Sequence, residues 1–272
     1  MRKKLGALTA LVCLLAAGAA YAAGPVTGGP NTYTGGMSVA GAVGTTVKPA
    51  AVAWTETYGM GSTTTGNVGA PLVDIKTSIY GLKAPNARYF ATCTANKING
   101  NNGNNGKWNG VCPKASLVGN GTVSAVLVPS SLVGPGTPCA LNLLVYNGGP
   151  GKLTYFFTVP TTGTGCAGLA TGAAAAWTGA VSQAGKNLVT NTPEPADVAY
   201  NAGNTGLFGS LVTEKLTFRK LTVKKGTKVY PFIESIGCMK HSRPYSITYT
   251  ATESNTGSPT VGSGTVKASA SC

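Results

Sequence analysis

A chain of 272 residues with a formal charge of +14, of which only 10% are charged, is poor material for exposed helices, whose solvent faces favour Glu, Lys and Arg. Its abundant Gly, Thr, Ala, Val, Asn and Ser suit strands and turns. A single histidine and the absence of any C-x-x-C pair exclude the common zinc sites, and the length fits one large β-sandwich or two small stacked ones.

Taken from the start, Arg2, Lys3 and Lys4 form a basic lead, and Leu5 to Ala19 is an apolar run too short to span a bilayer comfortably. Ala20-Tyr21-Ala22 then supplies a small-x-small cleavage pattern, so residues 1–22 read as a removable secretory signal. Cys13 follows Val12 where a lipid-anchor signal wants a small residue, which argues against an anchor. Six cysteines remain after cleavage, and an even number in an exported chain points to disulfides. No later segment is long and apolar enough to anchor in a membrane, so the expected product is secreted, free or non-covalently held at the cell wall.

Residues 23–36 are rich in Gly, Pro and Thr without periodicity and read as a flexible arm. Residues 37–272 read as an all-β domain, with two stacked sub-sandwiches (37–170 and 171–272) as the other division. Ala51 to Tyr58 alternates as a strand, Gly59 to Gly69 is a loop, and Pro71 to Tyr80 is a strand with Val73, Ile75 and Ile79 inward. The tract Asn99 to Gly106, between Cys93 and Cys112, can bury nothing; closing it with a disulfide removes unfolded-state freedom worth about 3 kcal/mol.

Leu141 to Tyr146 and Leu153 to Val159 flank the breaker cluster Asn147 to Gly151 and form a β-hairpin bracketed by Cys139 and Cys166. The apolar rows Leu141, Leu143, Val145 and Leu153, Tyr155, Phe157 share a face only if odd residues oppose odd residues, which predicts a three- or five-residue loop with Cys139 facing Val159. Leu144, Tyr146 and Phe156 on the reverse face predict a central hairpin covered on both sides. Further on, the apolar set Phe208, Leu211, Leu216, Phe218 gives way to Leu221 and Val223, and the switch from even to odd positions between Phe218 and Leu221 places a bulge or break near Arg219 and Lys220. Strands over 228–236, 245–252 and 261–270 complete an antiparallel β-sandwich of about ten to twelve strands, with jelly-roll connectivity one form open to it.

Six cysteines allow fifteen pairings; the brackets just described favour Cys93–Cys112, Cys139–Cys166 and Cys238–Cys272. In a flat three-stranded meander the last pair would be about 9.5 Å apart, beyond the roughly 7 Å a disulfide spans. That pair therefore requires the last strand to change sheets or the chain to bend at Gly237.

The blocks Asp74 to Leu82, Cys112 to Gly119, Tyr146 to Lys152, Thr178 to Val189, Gly206 to Val212 and Arg243 to Ile247 resemble a group of secreted actinobacterial all-β proteins of unassigned function. The resemblance implies export, an all-β domain and paired cysteines, and brings no catalytic or binding residue with it.

Neither a catalytic constellation nor a cofactor or metal site is legible. His241, the one histidine, lies in a loop beside Lys240 and Arg243, and Gly36 to Ala40 misses a G-x-S-x-G nucleophile pattern at its last position. Glycosidases need two carboxylates; the candidates are Glu56, Asp74, Glu194, Asp197, Glu214, Glu234 and Glu253, with Glu194 and Asp197 near each other on a proline-broken connector. The feature with a physical consequence is the run Lys215, Arg219, Lys220, Lys224, Lys225 and Lys228, countered by Glu214 alone. Such a stripe attracts anionic wall or extracellular polymers, while the plainer reading is that lysines protect edge strands from pairing. The expectation is a non-catalytic structural or surface-interaction protein; the alternative is a carbohydrate-binding or carbohydrate-active protein using Trp54, Trp108 or Trp177 as a sugar platform. The signal pattern predicts that intact-mass analysis of exported material finds a chain starting at Ala23; a start before residue 15, or a lipid mass on Cys13, contradicts it.

Overall fold

The computed structural model describes residues 23–100, 110–129, 131–158, 160, 175–194, 199, 206–252 and 260–272. The expected signal, Trp108, Cys166, Asp197 and Glu253 lie outside them, and with Cys166 the expected Cys139–Cys166 pair. The strands are β1 (Ala23–Gly28), β2 (Asn31–Gly41), β3 (Ala50–Ser62), β4 (Leu72–Tyr80), β5 (Leu82–Lys83), β6 (Leu117–Val128), β7 (Thr137–Gly149) and β8 (Lys152–Thr158). They continue as β9 (Trp177–Ala184), β10 (Asn187–Pro193), β11 (Phe208–Phe218), β12 (Thr222–Lys225), β13 (Lys228–Pro231), β14 (Glu234–Ser235), β15 (Ser242–Thr252) and β16 (Thr260–Ser271).

The fold is all-β and antiparallel. Twelve strands run in one continuous path, β1-β2-β3-β11-β6-β7-β8-β9-β10-β4-β15-β16, with β14 bridging β3 and β5, and β12 and β13 standing apart as a two-stranded hairpin. The path doubles back so that its ends meet: Tyr33 of β2 stacks on Tyr249 of β15 with ring centroids 4.8 Å apart, and the Tyr249 hydroxyl donates to the Thr34 carbonyl at 2.6 Å. The two layers of the sandwich are thus halves of one rolled sheet. Strands from residues 37–170 alternate with strands from 171–272 in the order β3-β11-β6 and β10-β4-β15, and one core joins them, in place of two stacked sub-sandwiches.

Residues 23–36 are not a flexible arm. They form β1 and the start of β2, where Tyr33 and Asn31 are completely buried. The Asn31 side chain donates to the Ala70 carbonyl at 3.1 Å and accepts from the Ala70 amide at 2.8 Å. Composition misled here because the glycines serve close packing: a Cβ on Gly35 would lie 2.5 Å from Ile247 Cδ1.

The β7–β8 hairpin is central, paired to β6 and β9. Odd residues do oppose odd residues, Leu143 facing Phe157 and Val145 facing Tyr155. The offset differs from the expected one, however. The register slips between Asn147 and Gly149, so the strands join through Pro150 and Gly151 alone, and the pairing moves two residues away from a Cys139–Val159 alignment. The Asn147 amide, fully buried and donating to the Ala87 carbonyl at 2.9 Å, makes the slip worthwhile. On the reverse face Tyr146 and Phe156 are covered by Cys93, Ala95 and Ile98, a segment tethered by the Cys93–Cys112 disulfide. In β4, Ile75 and Ile79 point inward as expected, with Thr77 between them and Val73 only half-buried.

Cys238–Cys272 also forms, with Cα atoms 6.4 Å apart. The chain bends at Gly237 (φ 127°) and reverses through Lys240 and His241 (φ 47° and 64°), so β15 starts beside the end of β16 and no flat meander arises. Arg243, on β15, holds this junction. It is 1% exposed, and its guanidinium donates to the carbonyls of Gly81 (3.0 Å) and Gly237 (2.6 Å) and to Ser235 Oγ (2.7 Å); burial pushes its pKa down. Removing a buried charge that satisfies several acceptors leaves them unpaired. Arg243→Met is therefore expected to cost about 3 kcal/mol in urea unfolding, with an unchanged midpoint as the contrary result.

Candidate functional site: a basic hairpin and an internal carboxyl cluster

The switch in apolar parity after Phe218 is a strand break. The last tie of β11 is the Arg219 amide to the Val118 carbonyl (2.8 Å); the Phe232 amide to the Leu221 carbonyl (2.9 Å) then closes the base of the β12–β13 hairpin. Its turn is Gly226-Thr227, with Gly226 at φ 62°, the left-handed value that a two-residue turn opening on glycine requires. Phe232 is buried at the root, edge-on to Phe90 at 5.2 Å, and Tyr230 packs on Tyr89 at 4.1 Å. Asn86 Nδ2 donates to the Pro231 carbonyl at 2.9 Å.

All six basic residues are exposed. Lys225 and Lys228 are direct cross-strand partners, and Lys224 faces Val229 on the opposite side of the hairpin, so cations stand on both faces. Like charges set directly opposite are destabilising, and none of the six is in an ion pair with a described carboxylate; Lys83–Glu234, at 3.3 Å, is the pair found among the described residues. Glu214, the one acid in the run, does not counter them. It is buried on the inner face of β11 while its neighbour Lys215 points out. The edge-protection reading also fails for Lys215, because β11 is an interior strand between β3 and β6; it can apply only to the lysines of the hairpin.

Glu214 belongs to a second constellation, which reading the chain as a sequence missed. On β3, Trp54, Glu56 and Tyr58 share the inner face; in register, Glu214 faces Tyr58 and Leu216 faces Glu56. Glu194, bonded through its amide to the Val73 carbonyl at 2.9 Å, completes a cavity lined by Glu56, Tyr58, Tyr155, Trp177, Glu194 and Glu214. Burial pushes the carboxyl of Glu56 up to about 7, offset in part by the hydroxyls of Tyr58 and Thr77. Burial and the nearby Asp74 charge push Glu194 up to about 8. Glu214 is raised well above the usual carboxylate range by burial and by Glu194 and Glu56. Within the set, Glu56 Oε1 and Trp177 Nε1 have no hydrogen-bond partner among the described residues.

Glu56 and Glu214 lie inside the sheet, 2% and 9% exposed, while Glu194, just past the end of β10, is half-buried. Trp54 is buried on Phe218 (5.0 Å) and Trp177 on Tyr155 (5.7 Å) and Phe157 (4.8 Å), so neither presents a face to a sugar. His241 is exposed on its turn, and Glu234 is held by Asn86 (2.6 Å) and Lys83. Among the described residues no three of His, Cys, Asp and Glu are grouped so as to hold a metal ion. No protein-family model matches the chain, and no curated protein matches it.

The cluster gives stability a pH dependence of definite sign. Each carboxyl has a raised folded-state pKa, so between about pH 4.5 and pH 8 the folded chain holds more protons than the unfolded one; stability is greatest at low pH and falls as pH rises through the folded values. The groups facing it are Tyr58, Tyr155 and Tyr249, with Asp74 beside Glu194 and Lys76 acting on Asp74, so no cation among the described residues neutralises it. Unfolding free energies from urea titration are expected to fall between about pH 4.5 and pH 8, by up to about 1.4 kcal/mol per pH unit per proton, and Glu56→Gln with Glu214→Gln is expected to remove most of that fall. An unfolding free energy that rises with pH contradicts the cluster.

Proposed function

We propose that this is an exported, non-catalytic surface-interaction protein that binds anionic polymers of the wall or extracellular space through the β12–β13 hairpin and the adjoining end of β11. The observation that carries the reading is the hairpin itself: Lys224, Lys225 and Lys228 project on both faces, and Lys215, Arg219 and Lys220 extend the charge along the chain with no described carboxylate paired to any of them. A surface of that kind concentrates polyanions by long-range attraction. The two disulfides among the described residues suit an oxidising compartment, and among the same residues no helix is long and apolar enough to cross a membrane. The carbohydrate-active alternative is the weaker reading, because two of its three tryptophans and two carboxyls of its best set, Glu56 and Glu214, are buried.

Binding to immobilised linear polyphosphate and polygalacturonate is expected to weaken steeply with salt, since exposed charges are screened beyond about 8 Å at physiological ionic strength. Changing Lys224, Lys225 and Lys228 together to Gln removes three of six cations and is expected to cut the slope of log affinity against log salt roughly in half. Equal binding by variant and parent returns the lysines to edge protection.

A further inference from the structure

Resting on that reading, we infer that the binding face extends through Tyr230 and Tyr89 to Arg88, and that its ligand is an acidic polysaccharide, a chain carrying carboxylates on hydroxylated rings. In the hairpin register Lys225 opposes Lys228 and Val223 opposes Tyr230, and residues two apart share a face, so Tyr230 lies on the same side as the Lys225–Lys228 pair. Tyr230 packs on Tyr89 at 4.1 Å. The Arg88 guanidinium sits 4.9 Å from the Tyr89 ring centre and donates to the Tyr89 hydroxyl at 2.9 Å. Arg88 is exposed and both tyrosines are half-buried. A cation more than a hundred residues away in sequence thus joins the lysine face.

The arrangement discriminates between polyanions. The lysine pair and Arg88 are separated by the tyrosine pair, up to about 15 Å of surface from two residues of strand rise, the 4.1 Å ring spacing and the 4.9 Å from ring to guanidinium, which fits charges spaced by intervening rings better than the dense charge of a polyphosphate. The guanidinium fork matches a carboxylate in a way an ammonium does not, and the phenol hydroxyls offer partners to ring hydroxyls. Base stacking needs an open aromatic face, whereas the Tyr89 ring already carries Tyr230 and Arg88.

The test compares polygalacturonate, linear polyphosphate and oligodeoxythymidine of matched charge on the full exported chain, with Arg88→Gln, with Tyr89→Phe plus Tyr230→Phe, and with the triple lysine variant. The Phe pair keeps both rings, and so the hairpin's anchor, while removing the hydroxyls; an unchanged melting temperature verifies this. Arg88→Gln and the Phe pair are each expected to lower polygalacturonate affinity about fivefold, the worth of one net hydrogen bond, and to leave polyphosphate affinity within about twofold. Equal losses on the two polymers, no loss on either, or tighter binding of oligodeoxythymidine than of polygalacturonate each overturn the inference while leaving polyanion binding in place. A parent protein that binds none of the three overturns the function proposed above.

Discussion

A sheet of twelve strands with one apolar face can bury that face only against itself, and the stack of Tyr33 on Tyr249 is where its two ends are brought together. The geometry of that seam demands missing side chains. A Cβ on Gly264 would lie 2.5 Å from the Tyr33 ring, and one on Gly28 would lie 2.1 Å from the Ser263 carbonyl oxygen. Closure also removes most of the problem of sheet edges, because the first and last strands cover one another instead of standing open to other chains. The contacts that close the roll are distant in sequence, which makes this a topology of slow, non-local pairing. The disulfide between Cys238 and Cys272 ties the last residue back to the start of the final hairpin once the roll has formed.

A rolled sheet has an interior, and this one holds charge at both ends without letting the charges meet. Arg243 lies beside Gly81, at the end of β4, and the carboxyl cluster lies beside Asp74, near its beginning. Seven residues of strand separate them, about 23 Å, too far for Arg243 to neutralise Glu194. Each group is therefore handled locally: the guanidinium by carbonyls and a serine hydroxyl, the carboxyls by retaining protons. Stable burial of an ionisable group needs either a partner or neutrality, and the protein uses one solution at each end.

What could be read from the chain followed from alternation, and what could not depended on contacts across it. The parity of the β7–β8 hairpin and the break after Phe218 are properties of short windows, so period-two reasoning reached both. The two-residue shift in the hairpin depended on Asn147, whose amide finds the Ala87 carbonyl sixty residues away, and no local pattern encodes that partner. Residues 23–36 looked unstructured because Gly and Thr carry little apolar weight, yet the seam selects glycine for closeness. The carboxyl cluster was within reach: applied to Trp54, Glu56, Tyr58 and to Glu214, Leu216, Phe218, the same parity puts both acids on the apolar face. The general expectation that glutamate is exposed stood in the way of that step. Arg88 could not have been joined to the lysines at all, since only the Tyr89–Tyr230 contact relates them.

The cluster and the hairpin are linked through a single strand. Along β11 the alternation that sends Lys215 to solvent sends Glu214 inside, so one pleat sorts opposite charges to opposite sides of the sheet. The formal charge of +14, or +11 once Arg2, Lys3 and Lys4 leave with the expected signal, counts every carboxyl as ionised. With Glu194 pushed up to about 8, Glu56 up to about 7 and Glu214 well above its usual range, part of that negative charge is absent at neutral pH. The field around the protein is therefore more positive than the formal count states. It weakens as pH rises and the interior ionises, through the same titration that loosens the roll.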